Sequence, residues 1–132
     1  IFLDRIEPNL GIGVPTVLYD WPISMASLAR QKPKDDRLAE RFEIFICAME
    51  IANGFGELTD PVEHRRRFKN DMALKDKLYG QTYPVDEEFM KALSFGMPNS
   101  SGIALGFDRL VMLCTGAQKI EDVLWAPLVN IL

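Results

Sequence analysis

Residues 41–57 read RFEIFICAMEIANGFGE. Phe42–Ile46 and Met49–Ala52 each have the composition of a short strand, and Cys47-Ala48 between them is a connection of hairpin length. In an antiparallel hairpin with an even loop, Glu43 and Glu50 fall on the same face. Two carboxylates on one face of an apolar hairpin repel each other and are costly to bury. They need a cation or a water-filled cleft. A divalent metal held by oxygen ligands meets that need, and so does a face that is simply solvated. Spacing alone leaves both open.

The end of the same stretch, Glu50 to Glu57, offers two acids, an amide (Asn53) and an aromatic ring (Phe55). That inventory suits an amino-acid pocket, with a carboxylate for an ammonium and a ring to flank an alkyl stem. Strict alternation puts Asn53, Phe55 and Glu57 on the opposite face from Glu50. A bulge or twist near Asn53-Gly54 is therefore required if all of them serve one site.

Working outward towards the N-terminus, Ile1–Ile6 alternates as a half-buried strand does. Pro8, Gly11, Gly13 and Pro15 mark a loop. Thr16–Tyr19 is β-prone and is stopped by Pro22. Ser24–Ala29 suits a helical turn, and Gln31–Asp36, with Pro33 inside it, reads as a loop.

Towards the C-terminus, Asp60 is an N-cap followed by Pro61 at the first helical position, and the helix runs to about Leu78 before Gly80. A shorter helix spans Asp86 to Phe95, closed by Gly96. After a turn rich in Gly, Pro and Ser, Gly102–Phe107 reads as a strand of small residues. Asp108–Thr115 reads as a helix ending at Gly116, and Val123–Ala126 as a last short strand. Strands joined by hairpins, with helices following, predict an α+β fold: an antiparallel sheet flanked by helices. A Rossmann alternation is not present, and neither is a Walker loop. The corner Gly102-Ile103-Ala104-Leu105-Gly106-Phe107-Asp108-Arg109 lets a planar ligand approach the strand closely and sets an arginine at the helix start. A tightly packed corner with Arg109 paired to a carboxylate would have the same sequence.

The chain has 132 residues, enough for one domain, with 48% hydrophobic residues and a net charge of -4, so no basic excess marks a nucleic-acid surface. Arg65-Arg66-Arg67 with Lys69 is expected to be a solvated helix face. Cys47 and Cys114 are expected to be buried free thiols in a reducing cytosol. His64, alone of its type, sits among charged residues and is expected to be exposed, which disfavours a histidine metal site or a Ser-His-Asp triad. No signal-peptide pattern opens the chain, and no apolar run is long enough to span a membrane. The start at Ile1, reading as mid-strand, suggests a fragment or a processed product.

Taken in order along the chain, these segments resemble the class II aminoacyl-tRNA synthetases. Gly102 to Leu113 resembles the family's motif 3, with Arg109 as its arginine. Arg41-Phe42-Glu43 and Glu50-Ile51-Ala52-Asn53-Gly54 resemble the lysyl-tRNA synthetase signature. The resemblance implies ATP-dependent activation of a lysine-type amino acid as its adenylate. It implies Glu43 and Glu50 as ligands of Mg2+ on ATP, and Arg109 as the catalytic arginine lying against adenine and triphosphate. It also implies Glu57 as partner of the ε-ammonium, with Asn53, Phe55, Gly102 and Ala104 around the amino acid.

Two branches of the family compete. One charges tRNA. The other comprises shorter paralogues that transfer lysine or β-lysine to a lysine of elongation factor P. Met25–Ala29, Glu57–Asp60, Gly96–Gly102 and the apolar Met49 resemble the paralogues, as does Ala104, where the tRNA enzymes usually carry glycine. Motifs 1 and 2 are not found in these 132 residues. The stretch by itself is therefore expected to be a partial catalytic domain lacking a complete active site, the full-length protein being a cytoplasmic homodimer. A truncated, non-catalytic binding module is the alternative from another class.

Overall fold

A computed structural model of the protein describes residues 1–126. Five strands form one sheet: β1 (Thr16–Pro22), β2 (Gln31–Lys32), β3 (Asp35–Ile46), β4 (Met49–Gly56) and β5 (Ser101–Leu105). The order is β1-β3-β4-β5, with β2 pairing antiparallel to β3. Three helices accompany them: α1 (Pro61–Tyr79), α2 (Glu87–Ser94) and α3 (Phe107–Thr115). This is the α+β architecture expected. The chain divides into two compact units. The first takes Ile1–Tyr19, Phe42–Gly54 and the residues from Ile103 onward, and the second takes Asp20–Arg41 and Phe55–Gly102.

In the first unit the β3–β4 hairpin turns on Cys47 and Ala48, both left-handed at φ 53° and 61°. Such a two-residue turn follows the twist of the strands, but it normally uses Asn and Gly. Here the backbone N–H groups of Cys47 and Ala48 donate to the carbonyls of Gly11 (2.8 Å) and Leu10 (2.9 Å), which holds the unusual residues in place. Gly11 has φ 72° and lies so close to the Phe45 carbonyl that a β carbon would stand 2.5 Å from its oxygen. Phe45, opposite it on β3, is fully buried. Being the turn itself, Cys47 is exposed, and Cys114 on α3 is exposed too. The expectation of buried thiols fails because apolar neighbours in sequence do not fix which way a turn or helix residue points.

Two end segments of this unit also differ from the sequence reading. Phe2–Ile6 is a single π-helical turn leading into a 3-10 turn at Glu7–Asn9. With no neighbouring strand, the alternation there forms local hydrogen bonds, Arg5 N–H donating to the Ile1 carbonyl at 2.9 Å. Val123–Ala126 is not a strand. A 3-10 turn at Ile120–Asp122 precedes it, and Trp125 is fully exposed.

In the second unit, Gln31–Asp36 is a small hairpin, not a loop, with Pro33-Lys34 as its turn. Pro33 lacks a donor and sits where none is needed. The predicted turn after Ser24 is a 3-10 turn at Ile23–Met25. Ala26, Ala29 and Ala39 form a close-packed cluster with Phe55 against it. The helices match their caps. Asp60 accepts from Val62 N at 2.8 Å and Gly80 ends α1 at φ 63°, while Asp86 accepts from the backbone of Glu88 and Phe89.

His64 corrects the expectation of exposure. It is 3% exposed, stacks edge-on to Phe89 and tilts against Phe68, with Nε2 at 2.5 Å from the Leu58 carbonyl. Positions 64 and 68 share the inward face of α1, so the charged neighbours of His64 in sequence point elsewhere.

The arginine run divides by the same geometry. Arg65 and Arg66 make exposed bidentate pairs with Glu87 and Glu63. Arg67 turns inward, its side chain 11% exposed. It holds the carbonyls of Ser27 (2.8 Å) and Ala29 (2.7 Å) and takes Glu63 as counter-ion at 2.8 Å. Ser27 has φ 52°, so this clamp fixes a strained loop to α1.

Candidate active site

In the first unit, Glu43 on β3 and Glu50 on β4 come together. The Asn53 side-chain amide donates to Oε1 of Glu43 at 3.0 Å and to Oε1 of Glu50 at 3.3 Å. Strict alternation would turn Asn53 away from Glu50. Its amide nevertheless reaches both acids, and Ile51 and Ala52, between Glu50 and Asn53, are both buried. Glu43 is 4% exposed, and Glu50 is half-buried.

Among the described residues no group of three or more His, Cys, Asp or Glu side chains gathers to hold a metal. Two carboxylates and one amide are nevertheless the donor set that Mg2+ uses when phosphates and water complete its shell. The residues fit that ion when it arrives with a polyphosphate.

Arg109 lies at the first turn of α3. Its Nη1 donates to the Glu50 main-chain carbonyl at 2.7 Å and stands 3.9 Å from the Glu50 carboxylate. The corner before it is tied to the same strand by Gly106 N–H, which donates to the Ile51 carbonyl at 2.8 Å. A β carbon at Gly106 would stand 3.3 Å from Cδ of Arg109, so the glycine lets the arginine stem lie flat. An open cavity of about 380 Å³ is bordered by Arg109, Glu50, Met49, Met112, Glu7 and Ile120. Its lining combines two acids and one arginine with apolar side chains. Ala104 lies exposed on β5.

In the second unit, Glu57 follows β4 and is half-buried. Among the described residues no side-chain hydrogen bond or ion pair engages its carboxylate, whereas Glu40, Glu63 and Glu87 are each held by an arginine. Glu57 lies over Gly102, where a β carbon would stand 2.7 Å from its Oε1. Phe55 packs on the alanine cluster and lies 5.7 Å from the Arg41 guanidinium, which also sits 4.5 Å over the Trp21 ring.

The sequence reading gives Arg41 no role of its own. It bridges rings on the strands either side of β3 and donates to the Met25 carbonyl at 2.5 Å. In sequence it stands only within the Arg41-Phe42-Glu43 segment, and the strand order that brings two rings to it is not written there.

Residues 9–130 match the profile of the tRNA synthetases class II (D, K and N), and the chain belongs to that family. Among characterised relatives it is 45% identical over 127 residues to the elongation factor P–(R)-β-lysine ligase of Proteus mirabilis, covering 96% of this chain and 39% of that protein. It is 46% identical over 124 residues to the ligase of the same name from Photorhabdus laumondii, covering 94% and 38%. The ligase of that name from Histophilus somni is 43% identical over 124 residues. The chain spans no more than 39% of the length of these relatives.

Proposed function

We propose that the full-length protein activates a lysine-type amino acid with ATP and transfers it to a lysine of elongation factor P. One observation carries the ATP half of this reading: a single amide gathers Glu43 and Glu50, while Arg109 is anchored to Glu50 beside them. Two carboxylates beside a held guanidinium support a site for a polyphosphate and its cation. The acceptor is taken from the names of the relatives, which align over nearly the whole chain.

The chemistry has two steps. A carboxylate oxygen of the amino acid attacks the α-phosphorus, and the bond to the β-phosphate breaks, releasing pyrophosphate. The amine of the acceptor lysine then attacks the adenylate carbonyl, AMP leaves, and the amine loses a proton as the amide forms. Glu43 and Glu50 would hold Mg2+, which when bound would supply charge neutralisation on the phosphates. Arg109 keeps the nucleotide in place, its guanidinium fixed in advance by the Glu50 carbonyl. Glu57 takes the side-chain ammonium as a charge-assisted partner. Asn53 orients the two acids. Phe55 and Gly102 bound the amino-acid pocket. The 132 residues by themselves lack the motif 2 arginine and do not complete the reaction. The protein works in the cytoplasm as a homodimer.

Amino-acid-dependent exchange of labelled pyrophosphate into ATP by the full-length protein tests the activation step. Exchange that requires lysine or β-lysine supports the reading, and its absence with both isomers refutes it.

A further inference from the structure

Glycine occurs at position 102 for a reason its backbone does not supply. Gly80, Gly96 and Gly116 all have left-handed φ and open space around them, so their conformation demands glycine. Gly102 has no such φ and lies in a regular strand. What it has is a neighbour: a β carbon there would stand 2.7 Å from Oε1 of Glu57 and 3.8 Å from its Cδ. The first distance is too short for a β carbon, so the carboxylate would have to turn away.

Glu57 cannot step aside by moving its backbone. Its N–H donates to the Ser100 carbonyl at 3.0 Å, it is bridged to Ala29, and the next residue, Leu58, donates to the Leu28 carbonyl at 3.0 Å. Only its side-chain torsions are left. Among the described residues no donor side chain holds the carboxylate. The carboxylate occupies the space that Gly102 leaves.

We infer that Gly102 is a positioning residue for Glu57. By lacking a side chain it seats the carboxylate against β5, and thereby fixes the depth at which a primary ammonium can be received. This rests on the amino-acid pocket proposed above. It assigns Gly102 a task other than contact with the substrate.

The test is a double-mutant cycle in the full-length protein, read by pyrophosphate exchange with the KM for amino acid and for ATP measured separately. Gly102→Ala is expected to raise the amino-acid KM by about tenfold or more, as the loss of one well-placed charge-assisted contact does, and to leave the ATP KM within about twofold. In a Glu57→Asp background the shorter carboxylate clears the added methyl. There Gly102→Ala is expected to cost no more than about threefold, a non-additivity that independent sites do not show.

Equal effects of Gly102→Ala in both backgrounds, or equal rises in both KM values, would overturn the inference. So would a loss of folding that Glu57→Asp does not cure. The pocket reading is tested apart from this by Glu57→Gln. An unchanged amino-acid KM there refutes the pocket. Displacement of the Glu57 carboxylate in a crystal structure of Gly102→Ala would still uphold the positioning, and an unmoved carboxylate would refute it.

Discussion

Arg109 reaches back to Glu50 through the main chain. Nη1 donates to the Glu50 carbonyl at 2.7 Å, while the Glu50 carboxylate stays 3.9 Å away. The guanidinium is thus held by the main chain, with the Glu50 carboxylate as a longer ion-pair partner. A lysine here would keep the charge but not the planar fork that can bind a carbonyl and a second group together. Arg109→Lys is expected to lower kcat/KM for ATP in the full-length protein by roughly 10²-fold, within the range seen when one preorganised donor is lost. The thermal midpoint should change little, since the residue is half exposed. A fully active Lys variant would remove Arg109 from the reaction.

The acid pair has a consequence that can be read without catalysis. Glu43 and Glu50 share one amide donor and are proposed to receive a cation together. Mg2+ together with ATP should raise the thermal midpoint of the full-length protein, because binding to the folded state alone stabilises it. In Glu50→Gln most of that rise should vanish, while the midpoint without ligand should hold or increase. If Glu50→Gln responds to Mg2+ and ATP as the wild type does, the pair is not the cation site.

Acid should loosen the second unit through Glu63. Hydrogen bonds from Arg66 and Arg67 hold its pKa down at about 2, against an ordinary value of 4.5. Because the folded value is the lower one, the stabilisation is complete above about pH 4.5 and is lost as the pH falls towards 2. Glu63→Gln should cost about 1–2 kcal/mol at neutral pH, allowing for partial exposure. It should also flatten the stability profile across that window. A variant whose acid limb matches the wild type would show that the Glu63–Arg67 clamp does not hold the Ser27 loop.

On the function proposed above, Ala104 is where the two branches of the family would part. Its methyl would take a small volume from beside the amino acid, and such a change alters preference among close isomers by about 1–3 kcal/mol. Ala104→Gly should relax the preference for β-lysine and improve the use of α-lysine, measured as adenylate formation with each isomer. Loss of one exposed methyl leaves the fold intact. An unchanged isomer ratio would make Ala104 a packing residue.

Much of the fold is legible in the sequence where local chemistry decides it. Asp60, Gly80 and Asp86 cap their helices as their side chains and φ values require. The hairpin at Cys47-Ala48 follows from loop length, and the shared face of Glu43 and Glu50 from the period of a strand. What depends on a distant partner is not legible. Arg67 and Arg65 look alike in sequence, yet one holds buried carbonyls and the other an exposed acid, according to which side of α1 each occupies. Gln31-Lys32 becomes a strand because β3 lies beside it. The alternation in Ile1–Ile6 had no such partner and coiled. In the candidate site the residue types were readable. The space between Glu57 and Gly102 was not, since it depends on how two strands far apart in sequence are brought together.

The most direct measurement is the mass of elongation factor P after incubation with the full-length protein, ATP and β-lysine, with tRNA present as a competing acceptor. One added lysyl group on a lysine of the factor, with AMP released in equal amount and tRNA uncharged, is the predicted result. An unmodified factor alongside aminoacylated tRNA would contradict it and place the protein with the tRNA-charging enzymes.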